Sequence, residues 1–170
     1  EMLREKIKVL EHRVMDMVRH GNENMIISDR VQRWTRGLFL VQAASELPAQ
    51  IAGEIASQFM VPQVAIKVWD VEPAYAGEAF AQGASDDVKA FASSLMRPYC
   101  GANPGLEAAQ WLADSASAAS LALIPLRAGI APQAFGLLVL ASPDTQRFAP
   151  DMGTDFLERI GELTSAALSR

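Results

Sequence analysis

The apolar patterning predicts an α+β domain: an antiparallel sheet with helices on one face, preceded by a long N-terminal helix. Three observations predict it. Residues 1–44 carry apolar side chains at helical spacing between dense charges. Apolar strand-like runs lie at Val64–Val71, Leu121–Leu126 and Phe135–Ala141, the last two separated by a short turn. An amphipathic segment after Pro150 ends the sequence. Residues 1–44 are therefore read as a helical arm and 45–170 as the folded body.

In the arm, Leu3, Ile7, Leu10, Val14 and Met17 recur at spacings of four and three, with charges on the other faces. Such a seam is a helix packed on its own domain or a parallel two-stranded coiled coil with a second copy, and the narrow seam with charged flanks favours the coiled coil. Gly21-Asn22-Glu23-Asn24 marks a break or a tolerated weak spot. Ile27, Val31, Trp34, Leu38 and Val41 restart the spacing, with Val31 and Leu38 in the phase of the first seam and the other apolar position shifted, as expected of a helix leaving a stalk and joining a domain. Arg30, Arg33 and Arg36 form a nucleic-acid stripe or a solvated face; without an aromatic base platform the solvated face is the better reading.

In the body, Ser45 is placed to cap a helix with Pro48 in its first turn, and Ile51, Ile55 and Phe59 form its apolar face up to Pro62. Val64, Ile66 and Val68 alternate with Ala65, Lys67 and Trp69, a strand with two different faces. Residues 73–119 are rich in Ala, Ser, Gly and Pro. Within them a short helix is expected over Asp86–Leu95 with Ser85 as cap, then a strand entering a turn at Arg97–Gly101, turn chemistry at Asn103-Pro104-Gly105, and a helical turn over Leu106–Leu112. Pro125 suggests a bulge or an unpaired position in its strand. The run Phe135–Ala141 is apolar throughout, as in a strand buried on both faces. The final helix is expected from Pro150, with Met152, Phe156, Ile160, Leu163 and Ala167 on one side and Gly153 and Gly161 allowing close backbone approach.

Composition narrows the function. Half of the 170 residues are apolar, 21% are charged and the net charge is −5. The balance is uneven: residues 1–36 carry +2 and the remainder −7. An acidic chain does not coat nucleic acid or anionic lipid over its whole surface. No apolar run approaches the ~20 residues that span a bilayer. The start is not a signal peptide and lacks an initiator Met, so an earlier segment is expected to precede it. One cysteine, Cys100, permits no internal disulfide and no thiolate-rich zinc site, and a cytoplasmic setting is expected. Both histidines, His12 and His20, lie in the arm, which leaves the body without the base that Ser–His–Asp or Cys–His chemistry requires. Asp86-Asp87 opens a helix, where paired carboxylates serve mostly as caps. Gly77, Gly83, Gly101 and Gly105 do not make a phosphate loop.

The strand ending in Pro125-Leu126, the turn, Phe135–Leu140 and the helix led in by Phe148 resemble the C-terminal half of a GAF domain, and Val64–Val71 resembles its first strand. Met2–Ile7 with Leu10-Glu11, the Gly21–Asn24 break, Pro98–Gly101 and Asp144–Leu157 resemble the bacterial family called domain of unknown function 484. The resemblance covers essentially the whole chain. It implies a GAF-like sheet of about six strands, the terminal helices on one face, and residues 73–119 enclosing a small-molecule pocket on the other. No assigned reaction comes with it. A lone Cys100 lacks the resolving thiols of the methionine-sulfoxide-reducing GAF subtype. The absence of a body histidine argues against bilin and haem subtypes. The Asn-Lys-Phe-Asp-Glu signature of cyclic-nucleotide GAF domains is missing.

The remaining candidates are Trp69, Tyr75, Phe80, Arg97, Tyr99, Cys100 and Trp111. Aromatic walls with a few polar groups describe a ligand site and equally a core under a loop. Arg97 is placed to grip a carboxylate or phosphate, or to pair with Asp86 or Asp114. Cys100 is a reactive thiol or, more commonly, a small buried apolar residue. The expected function is a non-catalytic dimeric sensor of an unidentified small molecule, signalling through its stalk; the alternative is a dimerisation scaffold without a ligand. The cofactor is unknown, and a homodimer through Leu3, Ile7, Leu10, Val14 and Met17 is the expected partner.

Overall fold

The computed structural model describes residues 1–169. Contacts divide the chain into two units, Glu1–Arg33 and Trp34–Arg170. Helix α1, Met2–Leu40, supplies all of the first unit but Glu1 and opens the second. It runs without a break through Gly21–Asn24, so of the two readings of that stretch the tolerated weak spot holds. One helical Gly costs only ~1 kcal/mol relative to Ala. Surface ion pairs such as Arg19–Asp16 and Arg33–Asp29 support the adjoining turns. Leu3, Ile7, Leu10, Val14 and Met17 are 54–74% exposed. Burial begins along the second seam, at Val31, Trp34 and Leu38.

The body is built on four antiparallel strands: β1, Gln63–Val68; β2, Tyr99–Ala102; β3, Ser120–Leu126; and β4, Gly136–Ser142. Their order is β1-β4-β3-β2. This is fewer than the six that the resemblance implied. The segments between β1 and β3 lack a further alternating run and fold instead into 3₁₀ turns and the helix α3, Asp86–Ser94. Every residue of β4 is buried. Pro125 keeps register opposite Leu137, so no bulge forms. β2 pairs only as far as Leu123, so at Pro125 one side of β3 has no partner strand, and a missing N–H is tolerated in such a stretch.

Helices α2, Leu47–Gln58, and α4, Asp155–Leu168, pack on one sheet face, against β1 and β3 respectively. Ser45 does not cap α2; it lies inside a 3₁₀ turn, Ala44–Glu46, that feeds the helix. Nor does Pro62 end it. The helix stops at Gln58, and Val61 N donates to Ala56 O at 3.2 Å around Met60, whose φ is +52°. This is a Schellman turn in which Met takes the left-handed position usually held by Gly. Arg147 donates to the freed carbonyls of Phe59 and Met60 at 2.7 and 3.2 Å. α4 starts at Asp155, after a turn closed by Met152 N donating to Ala149 O, and not at Pro150. Its buried stripe is Leu157, Ile160, Gly161 and Thr164, with Phe156 and Leu163 half-buried beside it. Gly161 meets β3 closely, whereas Gly153 has open space around it.

The opposite face is covered by residues 69–119. Leu121, Leu123, Leu137, Val139 and Ala141 face up from the sheet; Val88, Ala92, Ala108, Ala109, Leu112 and Ala118 press down on them. Ser85 caps α3 as expected, accepting from Val88 N, and also donates to Glu107 at 2.6 Å. Asn103 Oδ1 accepts from Gly105 N and Leu106 N, the expected turn. Gln63 exchanges two hydrogen bonds with the Asp114 backbone, at 2.7 and 2.8 Å, tying the end of this cover to β1.

Candidate functional site

Two clefts, each at a margin of the body, hold residues that the sequence singles out. The first holds about 400 Å³ where β1 ends. Trp69 is its floor: it is 5% exposed, its backbone N–H donates to Phe135 O at 2.7 Å, and its Nε1 donates to Ala134 O at 2.8 Å. Tyr75 and Phe80, half-buried on successive 3₁₀ turns, line the same cleft, as do Leu47, Pro48 and Phe135. Asp70 and Glu72 stand in its lining, Asp70 with φ +56°. Asp tolerates that left-handed conformation better than most residues.

The second cleft, about 640 Å³, runs between β3 and α4. Arg97 is here, exposed, with Arg127, Glu158 and Glu162. Arg97 forms an ion pair with neither Asp86 nor Asp114. Arg127 is committed elsewhere: it donates to the Ser93 and Ala92 carbonyls at 2.8 and 3.4 Å, at the end of α3.

Tyr99, Cys100 and Trp111 line neither cleft. Register explains the separation of the first two. Tyr99 pairs with Leu123, on the face under the irregular segment, whereas Cys100 pairs with Ala122, on the α2–α4 face. Neighbouring residues of a strand point to opposite sides, so no single pocket receives both. Burial pushes the Cys100 thiol above its ordinary range, the reverse of what a nucleophile needs. Trp111 packs against the irregular face, with Lys67 Nζ 5.9 Å from its ring centroid. Lys67 was not singled out from the sequence. Its place in β1, on the face of Ala65, aims it at the irregular segment, and there it donates to Ala79 O at 2.9 Å. Asp70, Glu72 and Phe135 were missed as well. Nothing in their spacing marks them, because a turn and a neighbouring strand bring them together.

No group of three His, Cys, Asp or Glu side chains suited to a metal gathers among the described residues. Among the described residues no helix is long and apolar enough to cross a membrane.

Residues 1–170 match the family described as protein of unknown function, DUF484. The chain belongs to that family. No curated protein matches this DUF484 chain. Among solved structures it is similar to a GAF domain from Pseudomonas syringae pv. tomato, at 13% identity and a TM-score of 0.57 over 89% of this chain and 91% of that one. It is also similar to the GAF domain of the potassium sensor histidine kinase KdpD from Escherichia coli, at 17% identity and a TM-score of 0.53 over 84% and 93%. A free methionine-R-sulfoxide reductase from Neisseria meningitidis, solved with its substrate, matches at 11% identity and a TM-score of 0.55 over 84% and 88%. At these identities the shared property is the GAF-like fold, in accord with the α+β architecture expected from the sequence.

Proposed function

We propose that this DUF484 chain is a non-catalytic GAF-like regulatory module that pairs with a second copy through its arm and takes a small molecule on its body. The carrying observation is the arm itself. A helix whose apolar seam is more than half exposed lacks the tertiary packing that stabilises helices in water, so it needs a partner. The seam supports a parallel two-stranded coil. With Leu3, Leu10 and Met17 at d, the a positions are Ile7 and Val14. β-branched residues at a with Leu at d favour two parallel strands. The flanks agree. In parallel register Lys6 at g faces the partner's Glu11 at e, whereas an antiparallel pair would set the g residues Lys6, Arg13 and His20 against one another.

The small-molecule half of the proposal is supported by the aromatic cleft and by the sensor proteins in which similar folds occur. A ligand would signal only through different affinities for two arrangements of the dimer. The cleft suits that role because Ala44, Leu47 and Pro48, just past the end of α1, form part of its wall. The packed irregular face favours a second reading, a dimerisation scaffold with no ligand.

Light scattering tests the pairing. Wild type should run at twice the chain mass and Leu10→Asp at the chain mass; equal masses for the two would overturn the coiled-coil reading. A thermal-shift screen of metabolites on the full chain separates the two readings. Binders that raise the melting temperature support the regulatory module, and none doing so leaves the scaffold.

A further inference from the structure

The margin cleft has a chemical character that its size does not. Its walls carry four aromatic side chains, Trp69, Tyr75, Phe80 and Phe135, and among the described residues its charged ones are Asp70 and Glu72. Among the described residues no Lys, Arg or His lines it, and neither carboxylate has a hydrogen-bond or ion-pair partner. The contrast with the β3–α4 cleft, where arginines and glutamates mix, is one of kind.

We infer that the Trp69–Tyr75–Phe80 cleft binds a small organic cation, an amine or quaternary ammonium. The inference rests on the proposal that the body takes a small molecule, and adds its class. Aromatic faces attract a cation through the negative face of the ring, and carboxylates at the rim supply the opposite charge. Those carboxylates would repel an anion. A neutral guest would gain from the rings alone and leave Asp70 and Glu72 without a role. The volume, about 400 Å³, lies within the usual range of ligand pockets, and the two hydrogen bonds of Trp69 fix the floor before any ligand arrives. Residues 37–170 carry a net −7, which draws cations toward the body.

The test is an NMR titration of the full chain at low ionic strength with choline and with its neutral isostere 3,3-dimethylbutan-1-ol. Choline should shift the amide resonances of residues 69–75 and 135 and bind about tenfold more tightly than the isostere. Asp70→Asn with Glu72→Gln should erase most of that preference, since Asn keeps the left-handed backbone at position 70. An unchanged circular dichroism spectrum and melting temperature would show that the double variant folds. Equal binding of both probes at these residues would overturn the cation assignment and leave the small-molecule proposal standing. Choline binding at Arg97 and Glu158 instead, or not at all, would also overturn the assignment, and the metabolite screen then decides the broader proposal.

Discussion

Gly161 offers a test of how α4 sits on the sheet. An added Cβ there would lie 2.7 Å from Ile124 Cγ2, whereas carbon atoms rest at about 3.5–4.0 Å. The overlap is therefore about 1 Å. Ile124 is 1% exposed, and its Cγ2 branches directly from Cβ on a stiff side chain, so it cannot swing aside. Two effects then oppose each other in Gly161→Ala. Helix propensity favours Ala by ~1 kcal/mol. Overpacking a core costs ~1–3 kcal/mol. The clash should win, with a net loss of up to ~2 kcal/mol in urea unfolding at fixed protein concentration. Ile124→Ala removes the clashing methyl group. In that background Gly161→Ala should become stabilising, by ~1 kcal/mol from propensity. Gly53 in α2, with open space around it, is the control, and Gly53→Ala should stabilise by up to ~1 kcal/mol. If Gly161→Ala stabilises the parent, or costs the same in both backgrounds, the close approach of α4 to β3 is wrong.

Other outcomes follow from single contacts. Ser85→Ala removes both the α3 cap and the hydroxyl's bond to Glu107, and should cost ~1–2 kcal/mol in thermal unfolding, with amide exchange near Val88 speeding up first. Because burial raises the Cys100 pKa in the fold, the unfolded chain loses that proton first as pH rises. The contribution to stability is thus fully present below the unfolded-state value and lost as pH climbs through the folded one. Cys100→Ala should flatten this alkaline decline in urea midpoints. Wild-type Cys100 should also react with a disulfide reagent at pH 7.5 far more slowly than the urea-unfolded chain, and equal rates would contradict its burial.

Much of the fold is legible in spacing. The alternation of Val64, Ile66 and Val68, the apolar run of β4 and the Ser85 cap each carry their own local physics, and each element forms where that physics puts it. The errors fall where local signals are weak or are overruled. Gly21–Asn24 reads as a break or a tolerated weak spot because Gly and Asn are poor helix formers, and spacing alone does not choose; the continuing helix absorbs them. Met60 ends α2 without the glycine that would have announced a Schellman turn. The candidate site is less legible than the fold. Tyr99 and Cys100, adjacent in sequence, part to opposite faces, and Arg97 belongs to a different cleft from Tyr75. Sequence proximity predicts company on a loop but separation in a strand.

The composition of the irregular segment decides where a ligand has room. Its Ala content reads first as a lack of function. In the fold those alanines have a mechanical effect: Ala92, Ala108, Ala109 and Ala118 have no side chain beyond Cβ, so the turns that carry them descend onto Leu121, Leu123, Leu137 and Val139. A cover built of larger residues would stand off from the sheet. Small residues bring it into contact and fill this face with the protein's own atoms. Trp69 stands at the edge of the cover, buried with it, and the chain there turns through Asp70 into two 3₁₀ turns that carry Tyr75 and Phe80. The aromatic cleft opens where these larger side chains follow the alanine cover at the margin. A guest there would touch Leu47 and Pro48, whereas a guest under the alanines would touch only the sheet and its cover. Of the two positions, the margin is the one with a short covalent path to α1.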